Sequence, residues 1–304
     1  MREILQQGIG KHNAFSTYHP IIIFCYFAAV TGLTMSVASP GILALSFVEA
    51  WLYSLMLKGK KAVRFNVLIT VSVILLTTAL NTFFTHDGDT VLFYINANRI
   101  TMEAFIFGIF SGAVIVTVIL WFSCFNEIVN SEMIMYLFSR ISSLLGLLIS
   151  MIMRYIPLLK TRYDEISMGQ KCMGWGETKG LVKKTRLIVK KVSILISWSL
   201  ESSIESADAM ASRGYGLKGR SSFHLYKFSG RDIGAGLVFT LLFCGIIGFN
   251  MMGDTGIQFY PELIFPQGKI STIAESVLFV IFAGMPAVID VVEEYRWKKL
   301  ELNS

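Results

Sequence analysis

The chain has 304 residues, a mean hydropathy of +0.60, 54% hydrophobic side chains and only 16% charged ones, where a soluble domain carries roughly a quarter. That balance excludes an ordinary water-soluble globular protein. The formal charge of +6 and the pI near 9.1 do not point to nucleic acid, because the Lys and Arg residues gather in blocks between apolar runs, as they do in the cytoplasmic loops of membrane proteins.

In chain order, the first twenty residues are mixed and polar, without the apolar core or small-residue cleavage site of a signal peptide. From Pro20 to Leu57 the only charge is Glu49. The spacing predicts one transmembrane helix over Pro20–Val37, a tight turn at "SPG" (39–41), and a second helix ending near Leu57. The basic stretch "KGKKAVR" (58–64) belongs in the cytoplasm by the positive-inside rule. A third helix, Phe65–Phe84, emerges at "THDGDT" (85–90), and a fourth, Glu103–Phe125, returns. Two more, Ile233–Met252 and Ile270–Ile289 with Glu275 as its one charge, form a closing hairpin. Its outer loop carries "GDTGIQ", and "EEYRWKK" (293–299) follows the second helix.

The middle of the chain breaks this rhythm. "IMYLFSRISSLLGLLISMIM" (134–153) is apolar enough to span, yet residues 154–191 carry Arg154, Lys160, Arg162, Lys171, Lys179, Lys183, Lys184, Arg186, Lys190 and Lys191. Four spans already return the chain to the cytoplasm near Asn126, and a fifth would put this basic block outside. Parity therefore predicts that 134–153 lies at the interface or dips in, with Arg140 snorkelling to water. A helical pattern continues toward residue 174 and a second runs from Val182 to Arg213. The expected fold is an all-α integral membrane protein of about six transmembrane helices. Its expected divisions are 1–128, a cytoplasmic helical module 129–232, and 233–304, with both termini cytoplasmic in the cell membrane.

Catalytic chemistry is hard to place on this chain. "GLKGRSS" (216–222) misses the spacing of a phosphate-binding GxxxxGK[ST] loop. His12, His19, His86 and His224 are scattered without ligand spacing, and no Ser/His/Asp arrangement stands out. Cys25, Cys124, Cys172 and Cys244 are isolated, which suits small core side chains better than a disulfide or a zinc site. We expect no catalytic residues, no bound metal and no cofactor. Glu49 is an intramembrane carboxylate, either a structural partner inside the bundle or an ion site.

The most ordered local signal is "SADAMASRGYGLKGR" (206–220). Ser199, Ser202, Ser203, Ser206, Ala207, Ala209, Ala211 and Ser212 give a small-residue surface that another helix can cross closely. Gly214 stands where a left-handed residue ends a helix, and Arg213 occupies the last turn against the dipole. Taken alone, Arg213 is either a capping cation or a docking group.

"ADAMASRGYG" resembles the second Ala-Arg-Gly coupling motif of the transmembrane T component of energy-coupling factor (ECF) transporters, the cobalt and vitamin uptake family. The motif is Ser212-Arg213-Gly214 here, with Ser for Ala. "RYDEISMGQKCMGWG" (162–176) is similar to the first coupling segment, with Cys172-Met173-Gly174 after Gln170 and Lys171, so that methionine replaces the arginine. "HP" (19–20) and "NTFFTHDGDTVLF" (81–93) also match family segments. The resemblance implies a non-catalytic scaffold in an ATP-driven importer of a vitamin or metal ion. In that family two ABC-type ATPases use ATP and Mg, and a small membrane S component carries the substrate. The T component joins them through two long crossing coupling helices whose tips enter grooves on the ATPases. It also implies Gln170, Lys171, Asp208 and Tyr215 as secondary coupling residues, and membrane lipid rather than nucleic acid as the surroundings. The competing expectations are a self-sufficient secondary transporter with Glu49 as its ion site, and a membrane enzyme using residues 160–232.

Overall fold

The computed structural model of the chain describes residues 13–36, 39–85, 88, 90–95, 98–175, 180–215, 226, 228–252 and 270–302. "GDTGIQ", "GLKGRSS" and His86, Asp87 and Asp89 of "THDGDT" lie outside the described residues. A 3-10 turn, Ala14–Thr17, precedes α1 (Pro20–Ser36), α2 (Pro40–Lys58) and α3 (Lys60–Phe84). A two-stranded antiparallel hairpin follows, β1 (Val91–Ile95) and β2 (Asn98–Thr101), with Val91 opposite Thr101 and Tyr94 opposite Arg99. Then come α4 (Met102–Ile128), α5 (Ser131–Ile141), α6 (Ser143–Gln170), α7 (Leu181–Ser212), α8 (Gly230–Met252) and α9 (Ile270–Leu302). The protein is an all-α membrane protein: six described helices are long and apolar enough to cross a bilayer, with α1 a shorter apolar helix beside them.

Two boundaries differ from the sequence expectation. "KGKKAVR" is not a loop, because α2 stops at Lys58 and α3 starts at Lys60, with Gly59 alone between them at φ 62°. The segment 134–153 is not one helix, because the chain breaks at Ser142 (φ −151°, ψ 128°). Gly146 packs so closely on α5 that a Cβ there would lie 2.7 Å from Ser139 Cα.

The described residues form two compact units, one of residues 1–133 with 226–304 and the other of residues 134–225. The first has an aromatic centre. The Tyr26 ring lies 5.5 Å from Phe15, 5.3 Å from Phe27, 5.1 Å from Phe239 and 5.4 Å from Phe282. Pro286 lies inside α9 and removes the helical donor of the Phe282 carbonyl, next to Ala283. The Tyr26 hydroxyl donates to the Ala283 carbonyl at 2.8 Å. A second buried polar chain runs from the Trp121 indole N–H to Ser46 Oγ at 3.0 Å, with Thr34 Oγ1 2.9 Å from the same hydroxyl. With no water in hydrocarbon, such groups must find partners within the protein.

Polar contacts also sort the helix ends. Asp232, in the first turn of α8, accepts from the Ser229 N–H (3.0 Å) and hydroxyl (2.9 Å) and from the His19 N–H (3.3 Å) just before α1. Asp290 of α9 accepts from the Phe15 N–H (2.9 Å) and the Tyr53 hydroxyl (3.2 Å) near the end of α2. Lys58 at the end of α2 donates to Ser123 Oγ of α4 at 2.6 Å. At the opposite end Asn250 donates to Glu275 at 3.2 Å, and the Thr90 N–H donates to Glu103 at 3.2 Å. The starts of α1 and α8 and the ends of α2, α4 and α9 therefore share one face of this unit. The chain leaves the unit after α4 and rejoins it before α8 at the same face.

α3 is held almost wholly by α4. Gly108 and Gly112 form a GxxxG pair on α4, where a Cβ would meet Thr78 Cα at 2.8 Å and Ile74 Cα at 3.1 Å. Small residues at this spacing let two backbones touch, which is how helices associate in lipid. Gly112→Val should push α3 off α4 and cost about 2 kcal/mol or more, the overpacking range. Gly32→Ala, at a glycine with nothing within 4 Å of the added methyl, should cost little. Detergent-denaturation midpoints of the two variants check this, and equal midpoints would contradict the close-contact role.

Candidate functional site

Within the second unit α6 and α7 run antiparallel, since contacts step down one helix as they step up the other. Tyr155 Oη lies 3.0 Å from Ser206 Oγ, the Arg162 guanidinium stands 5.0 Å over the Trp198 ring, and Lys191 Nζ donates to Ser167 Oγ at 2.7 Å. Arg162 also pairs with Glu165 at 2.7 Å. Of the small-residue face, Ser206 meets α6, Ser199 and Ser202 are half-buried, and Ser203, Ala207, Ala209, Ala211 and Ser212 are exposed. The directional contacts, rather than a closely crossed small face, hold the pair.

Both sequence-nominated segments lie at helix ends. At the first, α6 stops at Gln170, whose side chain is buried, and continues as one π-helical turn, Lys171–Trp175. Gly174 there takes φ 80°, ψ 7°. Lys171, Cys172 and Met173 are exposed, Met173 at 69%.

At the second, α7 stops at Ser212 and Gly214 takes φ 76°. The Tyr215 N–H donates to the Met210 carbonyl at 3.0 Å, and the Gly214 N–H donates to Ala211 at 3.0 Å. These two bonds define a Schellman end, with Gly214 in the position that only glycine fills without strain. Arg213 and Tyr215 are exposed on the turn. Asp208 is exposed before it, and among the described residues it forms no ion pair with Arg213. The two tips thus share one construction, an exposed long side chain directly before a left-handed glycine. The first closes α6 and the second closes α7, a helix of 32 residues and so about 48 Å long; because the two helices run antiparallel, the tips lie at opposite ends of the pair. Chemically they differ, because Arg213 offers a planar five-donor cation and Met173 a flexible thioether that packs but does not donate.

The intramembrane carboxylates do not meet. Glu49 on α2 faces α9 at Gly284, where a Cβ would lie 3.8 Å from its Oε1, and its Oε2 has no hydrogen-bond partner among the described residues. Glu275 is fully buried against Asn250, nine residues earlier on α9 and about 13 Å along its axis. Among the described residues no group of three His, Cys, Asp or Glu side chains is placed to hold a metal ion.

Sequence reasoning missed Lys191, Tyr163, Ser167 and Trp198. A Tyr-x-x-x-Ser spacing on α6 carries a weak signal for one shared face. Lys191 was indistinguishable from its exposed basic neighbours.

No protein-family model matches the chain. It is similar to energy-coupling factor transporter transmembrane protein EcfT 1 of Listeria monocytogenes, with 32% identity over 105 residues. The match covers 34% of this chain and 40% of that relative, so the chain spans about two-fifths of the relative's length. The resemblance read from the coupling motif is met by a relative of the same description.

Replacing Gly214 tests the tip's construction. Gly214→Val should cost about 1–2 kcal/mol at the helix end, because a branched side chain is strained at positive φ. Amide exchange at Gly214 and Tyr215 should quicken while α7 interior amides stay protected. Unchanged exchange at both amides would contradict the Schellman end.

Proposed function

We propose that the chain is the T component of an ECF-type importer, the membrane scaffold that couples cytoplasmic ATPases to a substrate-carrying membrane subunit. The observation that carries this reading is the pair of tips, alike in their left-handed glycine and unlike in chemistry, set at opposite ends of an antiparallel helix pair in the second compact unit. Each would seat in a groove of one ATPase, Arg213 by bidentate charge-assisted hydrogen bonds and Met173 by packing. The named relative supports the same reading over the matched stretch. Val182, Val189, Ile196, Leu200 and Ile204 form an exposed apolar stripe on α7, which suits a membrane partner rather than water. A secondary transporter is not favoured, since Glu49 and Glu275 are too far apart to relay a proton directly.

We further propose that residues 134–225 stay on the cytoplasmic side. The chain leaves and rejoins the membrane unit at one face, so this segment crosses an even number of times. Among its described residues it holds a single candidate span, on α6. In a cysteine-free background, Lys60→Cys and Lys179→Cys should resist an impermeant thiol reagent applied to sealed cells. Both should react once the membrane is permeabilised. Labelling of position 179 from outside would make α6 a true span and overturn this topology.

The tips are tested by purifying the tagged chain from its own membrane and measuring how much ATPase it retains. Arg213→Ala should weaken retention by roughly 2–5 kcal/mol, the loss expected when a buried charged partner is left unpaired. Arg213→Lys should restore only part, because an ammonium cannot form the fork. Met173→Ala should weaken docking with almost no dependence on salt, whereas docking through Arg213 should weaken as salt rises. Full retention in all three variants would sink the coupling reading, and equal salt slopes would sink the distinction between the tips.

A further inference from the structure

Lys191 is the one lysine of the α7 basic block that is buried. Lys183, Lys184, Arg186 and Lys190 are exposed, while Lys191 is only 7% exposed. Its ammonium donates to Ser167 Oγ at 2.7 Å and stands 5.7 Å over the Tyr163 ring, two residues one turn apart on the same face of α6. Among the described residues it forms no ion pair. A buried cation held by a hydroxyl and a π face, rather than by a carboxylate, is costly to place. Its contacts are also directional, fixing one rotation and one distance between the two helices.

The place of this contact matters. Ser167 lies six residues before Met173, within the last turn of α6, and Gln170, beside the same end, is buried. The other α6–α7 contacts, Arg162 with Trp198 and Tyr155 with Ser206, lie farther from the first tip, and α7 turns its apolar stripe outward.

We propose that Lys191 is a positioning residue, clipping the start of α7 to Tyr163 and Ser167 so that Met173 is held at a set place relative to Arg213. This rests on the reading of the tips as ATPase-docking groups. Motion imposed at one tip would then be carried by the helix pair as a unit instead of being absorbed by splaying at the junction.

The experiment uses the full chain with spin labels at two exposed positions flanking the clip, Met168→Cys on α6 and Lys184→Cys on α7, in a cysteine-free background. Electron paramagnetic resonance reads the distance distribution in lipid nanodiscs, and the assembled transporter gives uptake per ATP hydrolysed. Lys191→Met keeps the length and loses the charge. It should broaden the distribution, shifting the closed-to-open ratio by about tenfold, the effect expected of one charge-assisted hydrogen bond. Uptake per ATP should fall while ATPase retention through Arg213 persists. Lys191→Arg should restore most of the narrow distribution, and Tyr163→Phe should leave it unchanged, since the ring face remains. Tyr163→Leu should broaden it, and Arg186→Met, on the exposed face, should do nothing.

A narrow distribution and unchanged coupling in Lys191→Met would overturn the clip. If instead Arg213→Ala and Met173→Ala keep full ATPase retention, the docking reading fails, and the distance measurement still decides whether Lys191 sets the helix pair.

Discussion

Two carboxylates, Asp232 and Asp290, decide which helix ends share a face, and much of the architecture depends on them. Each takes backbone N–H groups from the segment just before α1: Asp232 holds His19 and Asp290 holds Phe15. Each also serves a second element, since Asp232 caps α8 through Ser229 and Asp290 takes the Tyr53 hydroxyl of α2. A carboxylate accepts several donors at once, so one side chain can register three chain segments. With these ends fixed, the course of every other helix in the unit follows by alternation. The excursion of 134–225 must then begin and end where it does.

Above that polar floor the membrane unit relies on contacts that need no water. Aromatic rings around Tyr26 pack edge to face or tilted, the Ala283 carbonyl takes a tyrosine hydroxyl, and α3 joins through glycines on α4. The second unit is built on another plan. Cation–π and hydroxyl contacts hold α6 to α7, and the aliphatic side chains of α7 turn outward. Both units leave apolar side chains exposed, Leu75 and Met251 in the first and Val189 and Leu200 in the second, but the first also encloses an aromatic centre.

What could be read from the sequence follows from the range of each interaction. Charge-free runs reveal spans because lipid acts on every residue alike, and Gly214 after Arg213 reveals a helix end because the bonds of a Schellman turn close within five residues. The break at Ser142 escaped, since serine there is ordinary and the close approach of Gly146 to Ser139 across it is not written in either residue. Gly108 and Gly112 could be counted but not assigned a partner, because nothing local says that Thr78 and Ile74 lie opposite. The β1–β2 hairpin also escaped, in a stretch where the turn residues had drawn attention to a loop. At the candidate site the tips were legible, whereas the clip at Lys191 was not, since burial of one lysine among many is a property of the fold.

Gly174 and Gly214 also have a stereochemical consequence. Both occupy backbone angles, φ 80° and φ 76°, that mirror-image residues prefer and natural ones avoid. At these two positions alone on the tips, achirality is what the chain requires. A D-alanine placed at either by semisynthesis would keep the turn and narrow the freedom of the unfolded segment. An L-alanine would carry the same methyl group into a clash with its own backbone. The handedness of a single carbon would thus separate the shape of a tip from its flexibility, two properties that glycine supplies together.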